Sequence, residues 1–547
     1  MDAAMKKFLI KTNLLKESLI VATLFVFLFV VTPRPLFAGG SPDCQSTSEV
    51  RLLDVVRIAI EKDANIRIYK SQETASAAGL LSAKAKFDPT VKASVTRSSE
   101  YTPISDAQKK AYSQGDSPDV TKYKQGVFSH NVGYEKLYRS GITISPSIAV
   151  STSESNDPQN RAPVTTGKVQ FAITRPLGRG NNPEANTAAE KSSKIELESA
   201  SLDSLYTISQ TVHDVIQSYW SYAYSFKALK VAEESKIRSE KLYNDTKILV
   251  ENDELAASEL DQLAANLNQK IADCEKASQA LLKARNDLKV AAGVPKDSLL
   301  ISGPPADFFP VNRLAGDTVE TALLSEVLTA FAMANRKDYA AAQKRLESFK
   351  FTIPAAKDSL RPQADLQITA GYNSRKDDKG AAAIISSMHE GVPGANISAT
   401  VSYSFPPGNR SARAAVIKQE EQFVQAKIKA EEIARKIDIN IETRISAIIS
   451  IIGRYRRTLE SCRLYAKALE NEKEKHRMGV STLLDVLNTE DSLGQSELSL
   501  ESIVLEYANA LADLRHEAGC IGRFDTSECE IKMDDLIELP EVKNLEK

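Results

Sequence analysis

Apolar positions along this chain follow two periods, and the switch between them outlines its elements. From Glu184 to Val294 there is no proline and one glycine, Gly293, and from Gly408 to Leu539 there is again no proline. Both spans are rich in Ala, Glu, Lys, Leu and Gln, which predicts long helices. In the first, Leu205, Ile208, Val212, Val215, Tyr219, Tyr222, Phe226 and Leu229 step by threes and fours without a break. That is a heptad seam, the mark of one helix packed along another. The second seam runs from Ala412 to Leu469 and takes consecutive steps of four through Ile437, Ile441 and Ile445, with Gln419 as its one polar member. Extra steps of four unwind a left-handed supercoil and suit a helix running nearly straight beside several neighbours. Asn186 to Val250 alone predicts a rod of roughly 100 Å.

Elsewhere the period drops to two. Ala364, Leu366, Ile368, Ala370 and Tyr372 alternate with Gln363, Asp365, Gln367 and Thr369, and Ile397, Ala399, Val401, Tyr403 and Phe405 alternate with polar partners from Asn396 to Ser404. Val91, Ala93 and Val95, and Val169, Phe171 and Ile173, do the same earlier in the chain. Each stretch predicts a strand with one apolar and one polar face. Pro89 and Pro362 open the ascending strands, and Pro176 and Pro406-Pro407 close the descending ones.

The order of elements occurs twice. Each long helix ends in a turn, Glu251-Asn252-Asp253-Glu254 or Met478-Gly479-Val480, followed by a Ser or Thr with an acid three residues on: Ser258 with Asp261, Thr482 with Asp485. This spacing predicts a capping box at the start of a returning helix. Both returning helices end in Ala-Gly, at Ala292-Gly293 and Ala518-Gly519, and shorter amphipathic helical stretches, 51–86 and 317–359, precede the ascending strands. The chain therefore divides into a first repeat, 39–302, with a long hairpin insertion at about 97–166, a long helix 184–250 and a returning helix 256–292. A second repeat, 303–520, has strands 363–373 and 395–406, a long helix 409–477 and a returning helix 482–518. An acidic tail, 521–547, follows.

Composition narrows the function. With 70 Lys and Arg against 72 Asp and Glu in 547 residues there is no electrostatic footprint for nucleic acid. The only strongly apolar run, Leu19 to Val31, follows Lys6, Lys7, Lys11 and Lys16 and leads to Ala38-Gly39, so residues 1–38 read as an export signal peptide, too short in its apolar part for an anchor. The five cysteines leave at least one unpaired in an exported chain, and the five histidines are scattered without metal-ligand spacing. No nucleotide, metal or nucleophile motif is present, so neither a cofactor nor an enzymatic activity is expected. Cys520 and Cys529, just after a helix end, are positioned for a local disulfide.

Four amphipathic strands per chain, apolar outside and polar inside, cannot close a barrel alone. The pattern predicts an α+β membrane protein: an oligomeric transmembrane β-barrel continuous with an α-barrel tunnel of very long, coiled-coil-like helices. At this point the residues resemble a known family. Gly479-Val480-Ser481-Thr482-Leu483-Leu484-Asp485-Val486-Leu487 is similar to the Gly-x-x-(Ser/Thr)-x-x-Asp-Val-Leu tip motif of the TolC family of outer membrane efflux proteins. Arg175-Pro176-Leu177-Gly178-Arg179-Gly180 resembles that family's exit from its descending strand, and Ser218-Tyr219-Trp220 falls where many members carry an aromatic pair. The resemblance implies a homotrimer with a twelve-strand barrel in outer membrane lipid and a long periplasmic extension. It implies a passive exit duct for small molecules or proteins in an efflux pump or type I secretion system, with a periplasmic adaptor and an inner-membrane pump as partners. The competing reading is a periplasmic coiled-coil adaptor, which would carry a single hairpin flanked by β-rich modules.

Two departures stand out. The first turn uses Asn252-Asp253 where a glycine is usual, and Val127 to Val150 carries alternating Ile142, Ile144, Ile148 and Val150, which suggests an additional hairpin above or within the barrel. The tip residues expected to form the periplasmic gate and adaptor contact are Asp253, Glu254, Asp261, Arg477, Gly479, Val480, Thr482, Leu484 and Asp485. Threefold symmetry would gather the acids of 251–261 into a negative ring that Arg477 could tie shut.

Overall fold

The structure is a computed structural model that describes residues 49–107, 122–155, 162–252, 257–309, 321–378, 394–524 and 529–538. The expected signal peptide lies outside the described residues. Among those described, no helix is long and apolar enough to cross a membrane.

In chain order come α1 (Leu52–Lys62), α2 (Ala64–Ala85), β1 (Thr90–Pro103), β2 (Lys122–Leu137), β3 (Thr143–Ser155), β4 (Val164–Pro176), α3 (Pro183–Glu251) and α4 (Ala257–Ala291). Then follow α5 (Thr321–Asn335), α6 (Lys337–Asp358), β5 (Gln363–Lys376), β6 (Gly394–Ser404), α7 (Arg410–Arg477) and α8 (Leu483–Ala518), with a short hairpin β7 (Arg523–Phe524) and β8 (Cys529–Glu530) and a terminal turn α9 (Asp534–Ile537). The order of short helices, strands, long helix and returning helix is thus traversed twice, with four strands in the first copy and two in the second.

Strands β1 to β6 form one antiparallel sheet in chain order. The expectation of four strands per chain is corrected to six: the segment around 127–150 is a full hairpin, β2–β3, inserted between β1 and β4. Its alternation is diluted by Gly126, Ser129, His130, Asn131 and Gly133, so the local pattern is weak and the ladder with its neighbours defines it. The two copies join at β4–β5, where Val169 lies opposite Tyr372.

The helices are held by both seams. In α3, Val212, Val215 and Tyr219 are fully buried, and in α7 so are Ile437 and Ile441. They share one core with α1, α5 and α8. Helix α3 packs on α2, α4, α6 and α8, and α7 on α6 and α8. Aromatic residues bind the linker between copies to α3: the Tyr219 hydroxyl donates to the Val50 carbonyl at 2.9 Å and accepts from the Asp307 amide at 3.0 Å. Trp220 stands edge-on to Tyr219 and to Phe309, which in turn meets Tyr507.

The stretches 51–86 and 317–359 are each broken in two, at Asp63 and at Arg336, where the backbone leaves helical geometry. Both breaks receive the glycine that ends a returning helix. A Cβ on Gly293 would fall 2.9 Å from the Lys62 carbonyl oxygen, and one on Gly519 would fall 3.2 Å from Cγ of Arg336. Both glycines are left-handed, with φ of 65° and 72°, so the sequence needs glycine there for conformation and for space.

Candidate functional site: the sheet wall and the hairpin tips

Residues directly opposite in an antiparallel ladder share a face, so the register sorts the wall. Ala93, Val132, Ile148, Val169, Tyr372 and Ala395 form one unbroken cross-strand row over all six strands. One residue away, Lys92, Gly133, Ser147, Gln170, Gly371 and Asn396 form the neighbouring row on the other face. The first face is apolar and open to its surroundings: Val91 is 70% exposed, Ile397 82% and Val401 67%. Such a face is costly in water and matches lipid. The second is polar, and Lys92 and Glu135 pair across it.

At the far end of the helices the two tips differ. Helix α7 ends with Gly479 at φ 72°, and the Val480 amide donates back to the Lys475 carbonyl at 2.9 Å, closing a Schellman-type turn. Helix α8 opens with a complete capping box: the Asp485 amide donates to Thr482 Oγ1 at 3.3 Å and the Thr482 amide donates to Asp485 Oδ2 at 3.2 Å. The Thr482 hydroxyl also donates to Asp485 Oδ2 at 2.5 Å, and this bond with the one from the Thr482 amide holds the Asp485 carboxyl below its usual range. The Ser481 hydroxyl, with Lys475 beside it, does the same for Glu472. Leu483 and Leu487 turn inward onto Leu263 and fix the tip to α4. Met478, Val480 and Leu484 point outward, at 62%, 76% and 50% exposure.

The first tip is built otherwise. Asn252 ends α3 with φ of −92°, outside the left-handed region that Gly479 occupies at the other tip. Asp253 and Glu254 lie outside the described residues. Helix α4 has already begun at Ala257, so Ser258 is helical and does not occupy the N-cap position expected of it, which requires extended backbone. Asp261 is exposed in the first turns of α4, and Arg477 pairs with Glu474 of its own helix at 3.3 Å, both side chains in solvent.

Tertiary structure adds a polar layer between α3 and α8 that scattered histidines did not announce. The His213 and His516 rings are 4.8 Å apart, although 303 residues separate them in sequence. Burial opposes charge on His213, but hydrogen bonds to Asp214 at 3.1 Å and Asp513 at 2.7 Å outweigh it and raise its pKa to about 9. Arg444 holds the other Asp513 oxygen at 2.9 Å. Burial and the His213 charge push His516 down to about 3, and its Nδ1 lies 3.1 Å from the Ser209 hydroxyl. Cys274 and Cys462 are half-buried thiols on helices, while the proposed partner of Cys520, the Cys529 side chain, lies outside the described residues.

No protein-family model and no curated protein matches the sequence. Solved structures do match in shape. The Campylobacter jejuni CmeC outer membrane channel aligns with a TM-score of 0.63 at 14% identity, covering 86% of this chain and 85% of that one. The open-state Neisseria gonorrhoeae MtrE outer membrane channel gives 0.60 at 18% identity, covering 88% and 93%. The Vibrio cholerae outer membrane protein VceC gives 0.60 at 14% identity, covering 86% and 96%. With the duplicated helix-strand-strand-helix order, the continuous apolar face of the sheet and the long helices below it, these likenesses show that the chain has the fold of the TolC family of outer membrane channels.

Proposed function

We propose that the protein is the outer membrane exit duct of a tripartite efflux pump or a type I secretion system, passing small molecules or proteins from periplasm or cytoplasm to the exterior without chemistry of its own. The observation that carries this reading is the single exposed apolar face running across all six strands, joined by short connections to helices of 69 and 68 residues. Helices of that length reach about 100 Å, the scale of an envelope compartment and not of a compact domain. A homotrimer closes the sheet and the helices into one conduit in outer membrane lipid. Residues 39–302 and 303–520 are the two copies of the repeat, and 1–38 direct export.

The outward Met478, Val480 and Leu484, on a tip braced by Gly479, Thr482 and Asp485, form an apolar knob suited to a periplasmic adaptor, which links the duct to an inner-membrane pump. Asp253, Glu254 and Asp261 form the gate's negative ring, with Arg477 as its counter-charge, and Cys520 pairs with Cys529 after export. The duct is tested by cell fractionation and native mass spectrometry: the protein is expected in the outer membrane as a trimer, and a stable soluble monomer would overturn the reading. Val401→Asp, which places a carboxylate on the apolar face, is expected to cost about 1–3 kcal/mol of insertion, while Thr400→Leu on the polar face is tolerated. The gate is tested by single-channel recording, where the combined Asp253→Ala and Glu254→Ala variant is expected to lose cation preference and block by multivalent cations. Retention of both would leave those acids as solvated turn residues.

A further inference from the structure

We infer that each copy contributes all six strands to the membrane wall, so that three copies close an eighteen-stranded barrel by pairing the free edge of β1 with the free edge of β6 in the next copy. The inference rests on the duct reading above and departs from the twelve strands that the resemblance implies.

Four observations carry it. The first is register: the apolar row and the polar row pass through β2 and β3 without interruption, with Val132 and Ile148 in line with Ala93 and Val169. A hairpin standing outside the wall would have no reason to keep its apolar face level with that of its neighbours. The second is length. The hairpin strands have 16 and 13 residues, against 14, 13, 14 and 11 for the rest. A strand needs about 9–11 residues to span a bilayer.

The third is anchorage. The β2–β3 turn is closed by the Tyr138 amide donating to the Ile142 carbonyl at 2.8 Å, and Arg139 makes a bidentate pair with Glu190 of α3 at 2.8 and 2.9 Å while covering the Phe87 ring. Gly141, at φ 86°, fits beneath Gly180 and Pro176, where a Cβ would lie 2.4 Å from the Gly180 carbonyl oxygen. The turn is therefore fastened where the other strands meet the helices, and the hairpin runs the same height as the rest. The longer connections, 104–121, 156–163 and 377–393, join strands at the opposite end. A short turn on one rim and connections longer in sequence on the other match the way outer membrane barrels are built.

The fourth is parity. Six antiparallel strands leave β1 and β6 running in opposite directions, so a neighbouring copy continues the same antiparallel ladder. Every residue of β1 and nearly every residue of β6 is exposed, and the apolar face reaches both edges, at Val91 and Val95 on one and Ile397 and Val401 on the other. A second copy of this chain supplies both the missing hydrogen bonds and the matching face.

At a strand spacing near 4.8 Å and a tilt near 40°, eighteen strands enclose about 36 Å between backbones, against about 24 Å for twelve. The wall is lined by short polar and glycine positions such as Gly133, Ser147 and Gly371. This end of the duct therefore suits bulky hydrophilic cargo, and selection by size falls to the helical tip.

The test uses the full chain in outer membrane vesicles, with the five cysteines replaced by serine and single cysteines returned as Val132→Cys, Ile148→Cys, Asn131→Cys and Ser147→Cys, and with Ile368→Cys and Thr369→Cys in β5 as references. A fluorophore on the first two is expected to be quenched by brominated lipid as strongly as at Ile368. A membrane-impermeant thiol reagent is expected to react several-fold faster at Asn131, Ser147 and Thr369. In a second arm, Ser94→Cys combined in turn with Ser398→Cys, Thr400→Cys and Ser402→Cys is expected to give oxidised, covalently linked trimers. Quenching at Ile368 but not at Val132 and Ile148, or absence of a covalently linked trimer with every one of the Ser94 pairs, would overturn the eighteen-strand wall while sparing the duct. Absence of quenching at Ile368 itself would overturn both.

Discussion

The two copies of the repeat solve one problem by different chemistry. Each interrupts its short helix pair at a single residue and seats the terminal glycine of the returning helix against the gap. In the first copy the break is held by an N-cap: Asp63 Oδ1 accepts from the Ile66 amide at 3.0 Å and from the Thr211 hydroxyl at 3.4 Å. In the second it is held by charge. Arg336 is 8% exposed, bound to Asp338 at 2.8 Å and to Glu517, whose other oxygen accepts from Asn440 at 3.1 Å. A shape set by packing is thus kept while the groups that stabilise it change. The ends of the copies are less constrained. The first contributes four strands and a tip without a glycine turn, the second two strands and a fully capped tip.

The largest expected effect separates the two breaks. Arg336→Met leaves Asp338 and Glu517 without their cation in a largely buried site and is expected to destabilise by about 3–5 kcal/mol, whereas Asp63→Ala removes a cap and should cost about 1–2 kcal/mol. Thermal unfolding of the detergent-solubilised protein reads the difference, and equal costs would mean that packing alone holds both breaks.

The terminal glycines rank next. Gly293→Ala meets backbone at 2.9 Å and should cost about 2–3 kcal/mol, Gly519→Ala meets Arg336 at a looser 3.2 Å and should cost about 1–2, and Gly479→Ala, left-handed but with open space, should cost about 1 kcal/mol. Equal costs in the same unfolding assay would show that the shared left-handed strain, not the fit against the break, sets the cost.

The histidine layer gives stability two pH limbs. His213 keeps its proton to about pH 9, above its ordinary value, so its contribution is complete below about 6.5 and is lost as pH rises through about 9. His516 is held neutral to about pH 3, so the unfolded chain gains protons that the native chain refuses, and stability falls as pH drops from about 6.5 toward 3. His213→Gln is expected to shorten the acid limb, since burial then opposes the His516 proton without the His213 charge, and to remove the alkaline limb, on the order of 3 kcal/mol. A melting profile in which that limb persists would assign it elsewhere.

The smallest effect compares the tips. Thr482→Ala breaks a capping box and should cost about 1 kcal/mol, while Ser258→Ala, inside a helix, should change stability by only a few tenths. Local hydrogen exchange at each tip measures both.

Much of this protein was determined by the sequence alone. Proline positions bounded the strands and long helices to within a few residues, since a missing amide and a fixed φ act locally. The heptad seams marked Val212, Tyr219, Ile437 and Ile441 as core, because helical period places them on one face whatever the partner. The tip motif located Gly479 and the Thr482-Asp485 box, whose bonds close within a few residues. Tertiary structure decided the rest. The alternation of Ile144, Ile148 and Val150 suggests an extra hairpin, but Gly126, Asn131 and Gly133 dilute the pattern of β2, and both strands gain their place in the wall from ladders with β1 and β4. Ser258 matched the capping spacing of Thr482, yet the helix started earlier. The pairing of His213 with His516, and of Arg336 with Glu517, joins residues far apart in the chain. Their energies depend on which helices pack together, and no local period of the sequence encodes that choice.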